Sequence, residues 1–90
     1  MEYSRKHLGK IAVTLDAQSC KLIMFMLSIA NEETGYIDTS LTHLHEKIGT
    51  AKTTISRSIK HLQEAGYLDI HHEVGVKTHY YLRNPDEKNL

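Results

Sequence analysis

Residues 46–70, EKIGTAKTTISRSIKHLQEAGYLDI, decide the reading of this chain. Ile48 closes one apolar-periodic segment and Gly49 breaks it. Ile55, Ile59 and Leu62 then follow at i, i+4 and i+7, the spacing of a helix that buries one face. Gly66 stops that helix, and Tyr67 to Ile70 has the composition of a strand. The side of the helix away from its apolar stripe carries Lys52, Arg57 and Lys60. Between Lys47 and Gln63 there are four Lys/Arg and no Asp or Glu, in a chain of 11 basic and 11 acidic residues; removing those four leaves 7 basic against 11 acidic. Positive charge is thus gathered on one helix of an otherwise acidic chain, the electrostatic footprint of a nucleic-acid binder. The competing account is an ordinary solvated helix face.

Upstream, Ile11, Val13 and Leu15 alternate, which predicts a strand or extended arm over residues 1–15, with a short helix as the alternative. Asp16 stands where an N-cap is wanted, ahead of a helix running to about Asn31. Leu22, Ile23, Met26, Ile29 and Ala30 form its apolar stripe. Met24 and Phe25 fall off that stripe, so this helix has more apolar surface than one small core covers. NEETG, residues 31–35, is a polar turn, and Tyr36 to Asp38 can form a short strand. Thr39 or Ser40 caps a second helix with Leu41, Leu44 and Ile48 inward, and Thr50 is expected to cap the third. Downstream, Tyr67–Ile70 and Thr78–Leu82 flank a turn at Val74-Gly75-Val76 and read as a β-hairpin. Asn84-Pro85 ends its second strand. The predicted organisation is an arm at 1–15, one domain at 16–84 and a polar tail at 85–90.

Ninety residues make one α+β domain with a modest core, near the size at which oligomerisation often supplements it. The longest apolar run, LIMFML, falls far short of the roughly 20 residues of a membrane span. MEYSRKHLGK lacks the apolar core of a secretory signal. With a single Cys20 among apolar helical residues, the chain reads as cytoplasmic and its thiol as buried. Neutral net charge argues against a non-specific DNA coater.

LTHLHEKIGTAKTTISRSIKHLQEAGYL resembles the helix–turn–recognition-helix of winged helix-turn-helix DNA-binding domains, of the MarR-like and plasmid replication-regulator type. Leu44 and Ile48 match the anchors, Gly49 the turn, and Arg57 the reading helix. LQEAGYLDI resembles the passage into the wing, and KTHYYLRNP the return strand. The resemblance covers roughly residues 16–84 and implies three helices plus a C-terminal hairpin wing, with a possible N-terminal strand. His45 departs from the pattern: the family places a small residue there, so the imidazole must tilt outward or push two helices apart. Z-DNA-binding winged helices resemble the same segment, but Ser56 and Lys60 replace their asparagine and tyrosine, and the chain has no tryptophan.

With Ile55, Ile59 and Leu62 inward, Thr53, Arg57 and Lys60 turn outward, with Thr54 and Ser56 on the shoulders and Lys52 at the helix start. Arg57 suits a bidentate contact to guanine, because its planar fork matches O6 and N7. Lys60 suits guanine or phosphate, and Thr53, Thr54 and Ser56 suit thymine methyls or phosphate. Thr50 and Ser40, at helix starts, are expected on phosphates, and Lys77 at the wing tip on the minor groove or backbone. These residues make double-stranded DNA the expected partner, for a bacterial, plasmid or phage transcriptional regulator. A plasmid replication or partition protein and a winged-helix protein-interaction module are the alternatives. A homodimer is expected through Ile11, Val13, Met24 and Phe25, because one reading helix offers few base contacts and the chain ends soon after the wing. Neither a cofactor nor a small-molecule ligand is implied. His43 and His45 point about 200° apart on a helix. A strand pair 71/79 brings only two imidazoles together, too few for a structural zinc site. No glycine-rich phosphate loop, HExxH or GxSxG motif suggests an enzyme.

Overall fold

The computed structural model of the chain describes residues 5–72 and 78–83. Its elements run α1 (Arg5–Thr14), α2 (Ala17–Ile29), β1 (Tyr36–Ile37), α3 (Leu41–Ile48), α4 (Lys52–Glu64), β2 (Leu68–His72) and β3 (Thr78–Leu82). The architecture is α+β, with four helices rather than the three expected. No helix among the described residues is long and apolar enough to cross a membrane.

The N-terminal expectation fails. The segment around Ile11, Val13 and Leu15 is the end of a helix, not a strand or arm. Ile11 and Leu15 are four apart, so the alternating trio also contains the spacing that puts two side chains on one helix face. Val13 decides between the periods: it is 86% exposed while Ile11 is 2% exposed. The Cys20 thiol donates to the Ile11 carbonyl at 3.3 Å and approaches that of Leu15 at 3.5 Å, tying the end of α1 to α2. Burial pushes the thiol pKa up, with the Asp16 carboxylate adding to the shift.

Asp16 caps α2 as expected, its carboxylate accepting from the Ser19 N–H at 3.1 Å. The Ser19 side chain first, and then this N–H, hold the Asp16 pKa below the usual carboxylate range. Ser19, Leu22, Ile23 and Met26 make the buried stripe. Ile29, expected on it, is 36% exposed, because the helix ends there and Ala30 leaves helical geometry. Met24 is 53% exposed. Phe25 is half-buried and meets the His43 ring edge-on at 6.0 Å, joining α2 to α3.

Asn31 organises the polar turn: its side-chain oxygen accepts from the Glu33 and Thr34 amides, both at 2.9 Å. Gly35, at φ 77°, turns the chain into β1. The sheet is antiparallel with order β1-β3-β2, so the last strand is the central one. Tyr36 pairs with Tyr81 and Ile37 with Tyr80. On the other side Leu68 pairs with Leu82, Ile70 with Tyr80 and His71 with His79. The turn at 74–76 and the Asn84-Pro85 exit lie outside the described residues.

Every element feeds one core: Ile11, the α2 stripe, Ile37, Leu44, then Ile55, Ile59 and Leu62 of α4, and finally Tyr67, Leu68, Tyr80 and Leu82. Helix α4 packs against α2, α3 and β2. Ile59→Ala should therefore destabilise the domain by about 2–5 kcal/mol, as truncation of a buried isoleucine does. Thermal or urea unfolding followed by circular dichroism checks this, and an unchanged midpoint would mean that the helix phase is misassigned.

Candidate nucleic-acid interface

The interface starts from how α3 is held. Ser40 caps it, its hydroxyl oxygen accepting from the His43 N–H at 3.1 Å. Thr39, 4% exposed, meets His43 Nδ1 at 2.7 Å. Leu44 is the fully buried anchor and Ile48 a half-buried one. Gly49 ends the helix in the left-handed region at φ 71°, its N–H donating to the His45 carbonyl at 3.0 Å. His45 points outward, and its Nδ1 lies 2.8 Å from the Thr50 carbonyl. A carbonyl only accepts, so His45 carries its proton on Nδ1. The imidazole thus braces the turn instead of wedging the helices apart.

Thr50 does not cap α4. The cap position falls to Ala51, which offers no side-chain hydrogen bond. The Thr50 hydroxyl instead faces Gln18 Oε1 at 3.4 Å, drawn to α2 by a partner 32 residues away. The first amides of α4 are consequently without a side-chain cap, and amides in that state are donors available to an anion.

Along α4, Ile55, Ser58, Ile59 and Leu62 are buried, and Thr53, Ser56, Arg57 and Lys60 are exposed. Each set follows i, i+3, i+4, i+7, and the two are offset by two residues, about 200° around the helix. Lys52 is exposed at the first turn and Thr54 is half-buried on the shoulder. Among the described residues Lys52, Arg57 and Lys60 make no hydrogen bond or ion pair with the rest of the protein. The nearest ion pair on this helix is at its opposite end, where His61 Nδ1 lies 3.7 Å from Asp16.

Thr53, Ser56, Arg57 and Lys60 thus form one stripe, with Lys52 at its start. Ser40 lies elsewhere, in a shallow depression of about 240 Å³ that Thr42, Thr78 and Tyr80 also line. Lys77 falls outside the described residues. Ile11, assigned to a dimer surface, is in the core. His45 and Gln18 were missed as supports of the turn; a polar residue replacing a small one at position 45 was the available signal, whereas Gln18 gave none. Among the described residues, no three His, Cys, Asp or Glu side chains group as metal ligands.

A comparison with protein-family models, curated proteins and solved structures found no match to this chain. The reading of this surface therefore rests on its own geometry.

Gly49 sets the angle at which α4 leaves α3, and a Cβ built there meets nothing within 4 Å. Gly49→Ala should accordingly cost about 1–2 kcal/mol through backbone conformation alone. Equilibrium unfolding measures it, and a neutral or stabilising result would refute the left-handed assignment.

Proposed function

We propose that this chain is a winged helix-turn-helix domain that binds double-stranded DNA sequence-specifically, as a bacterial, plasmid or phage transcriptional regulator. The observation that carries this reading is the exposed stripe Thr53-Ser56-Arg57-Lys60, opposite the buried stripe of the same helix and without partners in the described protein. A solvated helix face that serves only solubility gains by pairing its cations with nearby acids, as i, i+4 pairs do. Here no acid stands three or four residues from Lys52 or Arg57, and Glu64, at i+4 from Lys60, makes no ion pair with it. In this reading α4 enters the major groove, Arg57 takes guanine O6 and N7, and Lys60 takes the next base or a phosphate. Thr53 and Ser56 contact methyls or phosphates at the flanks. Lys52 and the uncapped amides of the first turn meet the backbone. Thr50 and Ser40, ahead of α4 and α3, add phosphate contacts in this reading, and Lys77 a further backbone contact.

One α4 reads few bases, so two copies on adjacent half-sites supply the remaining affinity. Among the described residues the exposed large apolar side chains are Val13, 86% exposed, Met24, 53% exposed, Leu8, 39% exposed, and Ile29, 36% exposed. Phe25 is half-buried and contributes at the margin.

Arg57→Ala should cost about 1–3 kcal/mol on the preferred site and relax specificity at one base pair. Lys52→Ala should weaken all duplexes alike and flatten the salt dependence by about one counterion. Fluorescence anisotropy against selected and scrambled duplexes distinguishes the two. Equal, sequence-blind losses from both variants would remove Arg57 from base reading.

Sedimentation of a Val13→Glu, Met24→Glu variant with an intact circular dichroism spectrum tests the pairing. The parent should sediment as a dimer and the variant as a monomer. A monomeric parent, or a variant that dimerises like the parent, would dispose of this interface.

A further inference from the structure

The sheet has a second face. Alternation along the strands sends Ile37, Leu68, Ile70, Tyr80 and Leu82 to the core side. Tyr36, Asp69, His71, His79, Tyr81 and Arg83 take the opposite parity, and no aliphatic side chain stands among them. Their rings form a connected set. Tyr81 lies 5.3 Å from Tyr36 and 5.3 Å from His71, the latter edge-on at 87°. The Tyr36 hydroxyl meets His79 Nδ1 at 3.2 Å, which leaves His79 Nε2 as the outward nitrogen. His71, His79, Tyr81 and Arg83 line a depression of about 330 Å³, within the size range of small-ligand sites.

The charge on this face is internally balanced. Arg83 donates twice to Asp69 Oδ2, at 3.1 and 2.6 Å, and His71 lies 3.5 Å from the same oxygen. The Arg83 guanidinium holds the Asp69 carboxyl below the usual range, with His71 a smaller contributor. Among the described residues the one acid on the face is thereby neutralised, so it does not repel a polyanion. What remains is π surface with hydrogen-bonding edges.

We propose that this outer sheet face is a stacking platform for an unpaired base of a single-stranded nucleic acid, with Tyr81 as the stacking ring and His71, His79 and Tyr36 at the base edges. Aromatic and imidazole rings on a sheet accept any base by its π-face, and imidazole nitrogens and phenol oxygens match base edges. Duplex DNA offers no such face, because its bases are stacked on one another. The platform is independent of α4: it involves different elements and a different physical force. Its binding should be only weakly salt-dependent, since few phosphates are neutralised.

The test is titration of the full chain with a short fluorescein-labelled oligothymidylate, read by anisotropy and by quenching of tyrosine emission, which no tryptophan obscures. Tyr81→Leu should weaken oligonucleotide binding about tenfold, as loss of one base stack does, with the melting temperature and duplex binding unchanged. Tyr81→Phe should retain binding, and His79→Leu should weaken it by removing a base-edge contact. Arg57→Ala should leave oligonucleotide binding intact. The proposal is overturned if the parent binds no oligonucleotide, or if Tyr81→Leu binds like the parent. It is equally overturned if Arg57→Ala abolishes the binding, or if Tyr81→Leu instead dissociates a dimer, which would make the face a protein contact. Oligonucleotide binding without any duplex binding would sustain the platform while removing the role given to α4.

Discussion

The rotational phase of α4 is the constraint on which the rest depends. Ile55 and Leu62 are 1% and 0% exposed, and Ile59 between them is 6% exposed. Burying side chains of this size contributes on the order of 1.5–3 kcal/mol each. A one-residue slip would rotate the helix by about 100° and expose part of that stripe while driving Ser56 or Lys60 into the core. The neighbours enforce the phase from three directions, through α2, α3 and β2. Ser58, 4% exposed on α4, and Ser19, 0% exposed on α2, are small enough for helices to approach closely at buried positions. Ser19 Oγ is left without a hydrogen-bond partner there, a local cost that the surrounding apolar burial offsets. With the inward side fixed, the outward side is fixed too, which is why Thr53, Ser56, Arg57 and Lys60 share one stripe.

Much of this was legible because it is local. An i, i+4, i+7 apolar pattern leaves one solution for α4, and glycine at position 49 announces a left-handed residue. Asp16 and Ser40 read as caps because each needs only the amide three residues on. The pairing of His71 with His79, entertained only as a condition, is the register observed, because β2 runs to His72 rather than ending at Ile70. The failures are equally physical. Ile11, Val13 and Leu15 satisfy both a period of two and a helical i, i+4 pair, and only tertiary burial of Ile11 separates them. Thr50 has a good capping side chain, yet Gln18 on another helix takes its hydroxyl. The histidines of the hairpin read as solvated because β1 is only two residues long, and nothing local says that it lays Tyr36 beside Tyr81.

The two outward surfaces differ in the range of the force they present. The cations of α4 have no partner in the described protein, so their field extends into solvent over roughly a Debye length, about 8 Å at physiological salt. A field of that reach acts on a charged partner before contact. On the sheet, Asp69 and Arg83 cancel within 2.6 Å, and the rings are already in contact with one another. Such a surface attracts nothing from afar and discriminates only at van der Waals contact. Within a chain that is formally neutral, the charge concentrated on α4 is balanced by the acidic excess elsewhere, and the Asp69–Arg83 pair, itself neutral, adds to neither side. If the pair were absent, an exposed carboxylate would leave the outer sheet face negative. Pairing it removes that charge without adding a second long-range field beside that of α4.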